Sequence, residues 1–193
     1  MADRTLVAYE RADGYDIHYA PDRPDPDRLT PAAPFGGPTA RSFDRLRERL
    51  AALGIDLANT DDRTPVDPVA QATGRTWEEV VTALDYQTYT WCYRLDRDYR
   101  CEQYLVCHFG LGVRGGEQRD PVGDGLLLPV ASHEHEYAHG WFEGTKAAVA
   151  DLLRCDVFDE GRARDYMAGR IRSFAGDRVC YPDAESEEHS EPE

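Results

Sequence analysis

The sequence predicts an α+β fold in which helices pack against an antiparallel β-sheet. Two β-hairpins are predicted at residues 5–20 and 86–109, because apolar and aromatic residues alternate on both sides of a polar turn in each segment. A short apolar strand at 126–131 and amphipathic helices around it complete the pattern. Hairpins and helices that follow one another in this way are typical of an antiparallel sheet with helices packed against it.

The first hairpin is predicted to turn at Asp13-Gly14, a dipeptide that tolerates the positive φ angles of a type I′ turn. A two-residue loop there sets Arg11 opposite Asp16, whereas a three-residue loop would set two acidic residues opposite each other. One face of the resulting hairpin is apolar and is expected to face the core. It carries Leu6, Ala8, Ile17 and Tyr19.

A loop and a helix are predicted next. Residues 21–40 are rich in proline, aspartate and glycine, which predicts a long surface loop. Apolar residues then recur at helical spacing over 43–53, with Ser42 as a plausible cap, so a helix is expected there.

Residues 67–84 predict two short helices separated by a glycine turn, and a capping box of Thr76 and Glu79 opens the second. Residues 69–84 are similar to the helix-turn-helix segment of bacterial repressors, whose second helix reads the DNA major groove. The second helix would expose Glu78 and Glu79 to the phosphates, which disfavours nucleic acid as a partner. A nucleic-acid binder is therefore kept only as an alternative.

The C-terminal half is predicted to begin with the hairpin at 86–109, followed by a glycine-rich loop at 110–125 and the strand at 126–131. Two amphipathic helices are expected after them, at 145–153 and 162–174. Four large side chains of the second hairpin are available for the core: Trp91, Tyr93, Tyr104 and Val106.

The charge balance is unusual, because 37 acidic residues against 22 basic ones give a net charge of -15. Among the basic residues only Lys146 is a lysine. Self-repulsion of this size is screened in molar salt, where the Debye length is about 3 Å, so the composition predicts adaptation to a salty cytoplasm.

We expect one domain over 1–182 and an acidic disordered tail at 183–193.

The compartment is predicted from three features. The five cysteines form an odd set without C-x-x-C spacing, which indicates free thiols rather than a disulfide framework. The N-terminal residues do not have the apolar region of a secretory signal, and no apolar run reaches the roughly 20 residues of a membrane-spanning helix. The expected location is the cytoplasm, with no membrane partner.

Residues 5–20, TLVAYERADGYDIHYA, resemble the opening of an uncharacterised haloarchaeal protein family whose members begin with an AYER-x-DG-x-x-x-HY hairpin. A second segment, HGWFEGTKAAVADLL at 139–153, also resembles this family. The resemblance implies a haloarchaeal origin and no established activity.

The motif with the sharpest chemistry is His-Glu-Tyr-Ala-His at 135–139, which matches H-E-x-x-H. On a helix, His135 and His139 would bind zinc, and Glu136 would be the catalytic residue that activates the metal-bound water. A third protein ligand is needed, for which the candidates are Glu160 or Asp159 downstream and the nearer His133.

The surroundings of this motif disfavour a zinc site. Pro129 lies shortly before it and Gly140 directly after it, so the predicted helix would be a stub. The same residues also fit a polar strand end with solvated histidines. The leading prediction is a small binding or regulatory module without catalysis or a cofactor, for which a protein partner is possible. A zinc-dependent hydrolase is the alternative, with zinc as its cofactor.

Overall fold

The computed structural model describes residues 3–37, 65–111 and 122–182. In these residues six strands form one mixed sheet in the order β3-β2-β1-β4-β5-β6. The strands are β1 (Thr5–Arg11), β2 (Gly14–Ala20), β3 (Ala72–Arg75), β4 (Trp91–Leu95), β5 (Cys101–His108) and β6 (Gly125–Pro129). The α-helices are α1 (Trp77–Thr82), α2 (His135–Arg154) and α3 (Glu160–Ala175), and Pro26–Arg28 forms a 3₁₀ turn. The α+β fold class is thus confirmed.

Three predicted features lie wholly or mainly outside the described residues. They are the helix at 43–53, most of the glycine-rich loop at 110–125, and the tail at 183–193.

The central strand pair corrects the predicted sheet, because β1 and β4 run parallel to each other. The other paired strands of the described residues are antiparallel. A hairpin turn reverses the chain and makes its two strands antiparallel, but it does not determine how one hairpin lies against the next. The connection through β3 and α1 brings the chain back to the starting end of β1, so the sheet is mixed rather than purely antiparallel.

The first hairpin has the predicted faces but a different register. Leu6 lies opposite Tyr19 and Ala8 opposite Ile17, so these four residues share one face, as expected. Arg11, however, lies opposite Gly14 instead of Asp16. The turn is one residue earlier than predicted. Gly14 is part of β2 with φ of 136°, and a Cβ there would lie 2.7 Å from the carbonyl oxygen of Arg75, so the close approach of β3 requires a glycine.

The predicted pair of helices at 67–84 is wrong in its first half. Ala72–Arg75 is the edge strand β3, and α1 is a single helix of six residues after it. Thr76 caps this helix through the predicted capping box, in which each of Thr76 and Glu79 accepts a hydrogen bond from the backbone N–H of the other. A strand in place of the first helix does not form the helix-turn-helix geometry.

Helix α2 is longer than predicted, since it begins at His135 and continues to Arg154. Each exposed glycine inside a helix costs roughly 1 kcal/mol relative to alanine, which is why Gly140 was expected to end it. The helix continues because one stripe of its side chains is buried against the sheet. That stripe contains His135, Ala138, Phe142 and Val149.

The sheet is covered on both faces, which explains why Thr5 to Tyr9 of the central strand β1 are all buried. Helices α2 and α3 cover one face, over a core that includes Val7, Tyr9 and Leu128. Helix α1 covers the other, over a smaller core that includes Leu6 and Val80. The predicted core residues of the second hairpin are all buried, two in each core: Trp91 and Tyr93 in the first, Tyr104 and Val106 in the second.

The predicted surface loop at 21–40 is packed onto the larger core in its described part. Leu29 is 2% exposed, and the Tyr9 hydroxyl donates a hydrogen bond of 2.5 Å to the carbonyl oxygen of Pro34. The Phe35 ring lies 5.9 Å from the Tyr9 ring. This segment also carries Arg23 to the start of α2.

Candidate functional site

The H-E-x-x-H motif lies on the first turns of α2, where His135 is the first helical residue and is 4% exposed. Its imidazole ring is already in contact with a cation. Arg23 Nη2 contacts both ring nitrogens of His135, Nδ1 and, at 2.8 Å, Nε2. The Arg23 guanidinium lies 4.5 Å from the centre of the Trp91 ring. The Trp91 and His135 rings meet edge to face at 5.0 Å.

Arg23 is held in this position by two further hydrogen bonds, from Nε to the Tyr93 hydroxyl at 3.0 Å and from Nη2 to Gln103 Oε1 at 3.3 Å. Burial and then the charge of Arg23 lower the pKa of His135 from 6.5 to about 4. The imidazole is therefore neutral at pH 7 and accepts a hydrogen bond from the guanidinium. We call this group the Arg23–His135 contact.

The other predicted zinc-site residues are more exposed than His135. His133, Glu136 and His139 are all exposed, whereas Glu160 lies at the start of α3 on a different cavity. In residues 3–37, 65–111 and 122–182, no three His, Cys, Asp or Glu side chains are grouped as a metal ion would need. Zinc binding by these residues stays a prediction that the structure does not test.

A cavity of about 530 Å³ lies beside the β5–β6 end of the sheet, between α2 and the start of α3. We call it the Lys146 cavity. Apolar side chains of Leu111, Ala150, Leu153 and Phe158 form part of its wall, together with Gly110. Its charged lining residues are Lys146, Arg154, Asp156, Asp159 and Glu160. Sites for small organic ligands have volumes of roughly 300–1,000 Å³ and combine apolar walls with a few polar groups, as this cavity does.

Lys146 is half-buried on the cavity wall, and its ammonium donates a 2.9 Å hydrogen bond to the carbonyl oxygen of His108. It also lies against Gly110, where a Cβ would be only 3.2 Å from Nζ and 2.9 Å from the imidazole of His108. Gly110 has φ of 53°, which glycine adopts without strain. The glycine thus allows the lysine and histidine to approach the backbone closely.

A buried acid behind the wall fixes this arrangement. Asp124 is 5% exposed, and its Oδ2 accepts a hydrogen bond of 3.3 Å from the Gly110 N–H and lies 3.5 Å from His108 Nε2. Its Oδ1 accepts a hydrogen bond from Arg164 of α3. Burial alone would raise the pKa of Asp124, but hydrogen bonds from His108 and Arg164 lower it to about 2. The carboxylate is ionised at neutral pH and is paired with Arg164.

The charges on the cavity wall are not equivalent. In the described part of the chain no carboxylate lies within ion-pairing distance of the Lys146 ammonium, whose partner there is a carbonyl oxygen. Asp159 caps α3 by accepting a 2.8 Å hydrogen bond from the Arg162 N–H, and Arg154 pairs with Asp151. Lys146 is therefore the cation on this wall that a ligand can approach at the lowest cost.

Two other cavities have similar volumes, about 520 Å³ beside Pro129 and about 460 Å³ between β3 and α1. The basic residue on the wall of the first, Arg178, pairs with Glu134 at 2.6 Å. Arg75, on the wall of the second, pairs with Glu79 at 3.7 Å. Neither cavity thus has a basic group like Lys146, whose partner in the described residues is a neutral carbonyl oxygen.

Lys146, His108 and Asp124 are not among the site residues that the sequence predicts. They come from a helix, the end of one strand and the residue before another strand, and no sequence motif joins them. The available signal was composition, because Lys146 is the one lysine among 22 basic residues. Composition alone does not show that this lysine lies on a cavity.

Comparisons with known proteins give a family but no activity. The model of a family of unknown function (DUF6735) matches residues 1–179. No curated protein and no solved structure matches the chain. The helices of the described residues are too short or too polar to cross a membrane.

Proposed function

The chain belongs to this family of unknown function, and we propose that it works by binding a small molecule in the Lys146 cavity. One observation carries the proposal: a half-buried lysine lies on the wall of a cavity large enough for a small organic molecule. The proposal refines the binding module that the sequence predicts, because it gives the binding function a place in the fold.

The hydrogen-bond donors of Lys146 support a binding role. Lys146 is half-buried, so its side chain has less contact with water than one on an open surface, and a charged group there is stabilised by partners that replace the water. The Lys146 ammonium has three N–H donors, and one of them is used by the hydrogen bond to the carbonyl oxygen of His108. A ligand that accepts a hydrogen bond from Lys146 would use a further donor, so this wall is suited to such a ligand.

The contacts behind the wall support the same role. Asp124 joins the end of β5, the start of β6 and α3 through His108, Gly110 and Arg164. A site that is already formed binds with a smaller loss of conformational entropy than one that must be ordered by its ligand.

A pair of matched variants tests the proposal. Ala150 lines the cavity, whereas Ala148 is exposed on the same helix and is not part of the cavity lining. Ala150→Leu fills part of the cavity, and Ala148→Leu makes the same change outside it. We expect ligand-observed NMR with a library of small organic acids, amines and alcohols to find compounds that bind the wild type and Ala148→Leu but not Ala150→Leu.

Two results of this screen would contradict the proposal. One is that no compound of the three classes binds the wild type at millimolar concentration. The other is that Ala150→Leu and Ala148→Leu have the same effect on every compound that binds, which would place the binding elsewhere. Circular dichroism of both variants establishes that they are folded.

A further inference from the structure

The Lys146 cavity has an uneven distribution of apolar and charged groups that indicates a class of ligand. Lys146 and the bare backbone of Gly110 lie together at one part of the wall, where Nζ is 3.2 Å from the position of an added Cβ. Leu111 of the same loop and Ala150, one helical turn after Lys146, continue the wall with apolar atoms. A molecule that contacts both parts must have a polar and an apolar end.

We infer that the ligand of the Lys146 cavity is a small amphipathic organic anion, with its anionic group at Lys146 and a short apolar body against Leu111, Ala150 and Phe158. This inference rests on the proposed binding function and adds the class of the ligand. An ammonium forms shorter and stronger hydrogen bonds with a charged oxygen than with a neutral one, which favours a carboxylate over an alcohol at this position.

The surrounding charges determine which group can meet Lys146. The buried acid behind this wall, Asp124, is paired with Arg164 and hydrogen-bonded to the Gly110 N–H, so its charge is already balanced. The acidic residues of the lining, Asp156, Asp159 and Glu160, belong to the segment that leads into α3 and not to the loop around Gly110. Asp159 is also occupied as the cap of α3. An anion at Lys146 would therefore meet the ammonium without displacing a carboxylate partner from the described residues.

The inference is tested by comparing ligands that differ only in the charge of the head group. Hexanoate, 1-hexanol and hexylamine have the same apolar body and carry a negative, a neutral and a positive head group. We expect hexanoate to bind about tenfold more tightly than either of the others when the three are titrated by NMR at one fixed salt concentration. In Lys146→Met, hexanoate should lose that advantage and bind like 1-hexanol.

Two further variants separate the local role of Lys146 from net charge and from folding. Arg170→Gln removes one positive charge from an exposed position of α3 that is not part of the cavity lining, and it should leave hexanoate binding unchanged. Lys146→Arg keeps the charge and should retain a preference for hexanoate over hexylamine even if its affinity is lower. The Lys146 variants are compared only after circular dichroism has shown that each has the same spectrum as the wild type and is therefore folded.

The outcomes distinguish the ligand class from the binding site itself. If hexylamine or 1-hexanol binds as tightly as hexanoate and Ala150→Leu abolishes that binding, the inferred class is wrong and the proposed site stands. If Lys146→Met binds hexanoate as the wild type does, the inferred role of Lys146 is wrong. If none of the three probes binds although other compounds of the library bind at the cavity, the inferred ligand class is wrong and the proposed site stands. If no compound of the library binds either, the proposed function fails as well.

Discussion

The Arg23–His135 contact makes the stability of the fold depend on pH. His135 has a pKa of about 4 in the folded protein and an ordinary value of 6.5 when unfolded. A base whose pKa is lowered by folding binds fewer protons in the folded state than in the unfolded state between these values. The free energy of unfolding should therefore be highest above pH 6.5 and should fall as the pH decreases towards 4.

The size of the effect follows from the two pKa values. The full difference corresponds to roughly 3 kcal/mol, since one pH unit is worth about 1.4 kcal/mol. Between pH 7 and pH 5 the expected loss is about 2 kcal/mol. Asp124 does not interfere in this window, because its lowered pKa adds stability that is fully present above the ordinary aspartate value near 3.8 and is lost only as the pH falls towards 2.

Urea unfolding at pH 7, 6 and 5, followed by circular dichroism at one salt concentration, measures the effect. His135→Gln does not titrate and can still accept a hydrogen bond from Arg23, so most of the dependence on pH should disappear in this variant. His133→Gln makes the same change at an exposed position two residues earlier and should retain the dependence. Equal slopes in the wild type and His135→Gln would refute the assignment of the pH dependence to this contact.

Two other predictions concern the balance of charge. Asp124→Asn should lower the free energy of unfolding by roughly 2–3 kcal/mol because it leaves the half-buried Arg164 without its anionic partner, and Asp165→Asn on the exposed side of α3 should change it by less than about 0.5 kcal/mol. Urea unfolding at pH 7 compares the two, and an equal loss in both would contradict the role of Asp124. The net charge of -15 predicts a melting temperature that rises between dilute buffer and molar salt. An unchanged or lower melting temperature in molar salt, measured by circular dichroism, would remove the argument for adaptation to salt.

Local sequence signals predicted the elements whose form depends on neighbouring residues. The capping box of Thr76 and Glu79, the faces of the first hairpin and the position of the second hairpin all follow from residues close together in the chain. The parallel pairing of β1 with β4 does not, because it depends on how two hairpins dock across a long connection. Gly14 was identified as a turn residue, but its position within β2 depends on the approach of β3, 61 residues later at Arg75.

The Lys146 cavity could not be predicted from the spacing of residues, because its contacts also join residues that are far apart in the sequence. Lys146 meets the backbone of His108, which is 38 positions away, and Asp124 meets Arg164 across 40 positions. The spacing of residues in a single sequence contains no signal for such pairs. What it did contain was a composition in which one lysine stands among arginines, and the structure shows this lysine on the wall of a cavity.

The H-E-x-x-H spacing fits a helix whose two histidines bind one metal ion, and it also fits a helix in which one histidine is buried and the other is exposed. In a helix each residue turns by about 100°, so the buried stripe of α2 that contains His135, Ala138 and Phe142 has its centre to one side of His135. His139 lies on the other side of His135 and is exposed. For both histidines to bind one ion, the imidazole of His135 would have to leave Arg23 and Trp91. Arg23 is 112 positions away from His135 in the sequence, so the motif alone could not reveal that its first histidine has a partner.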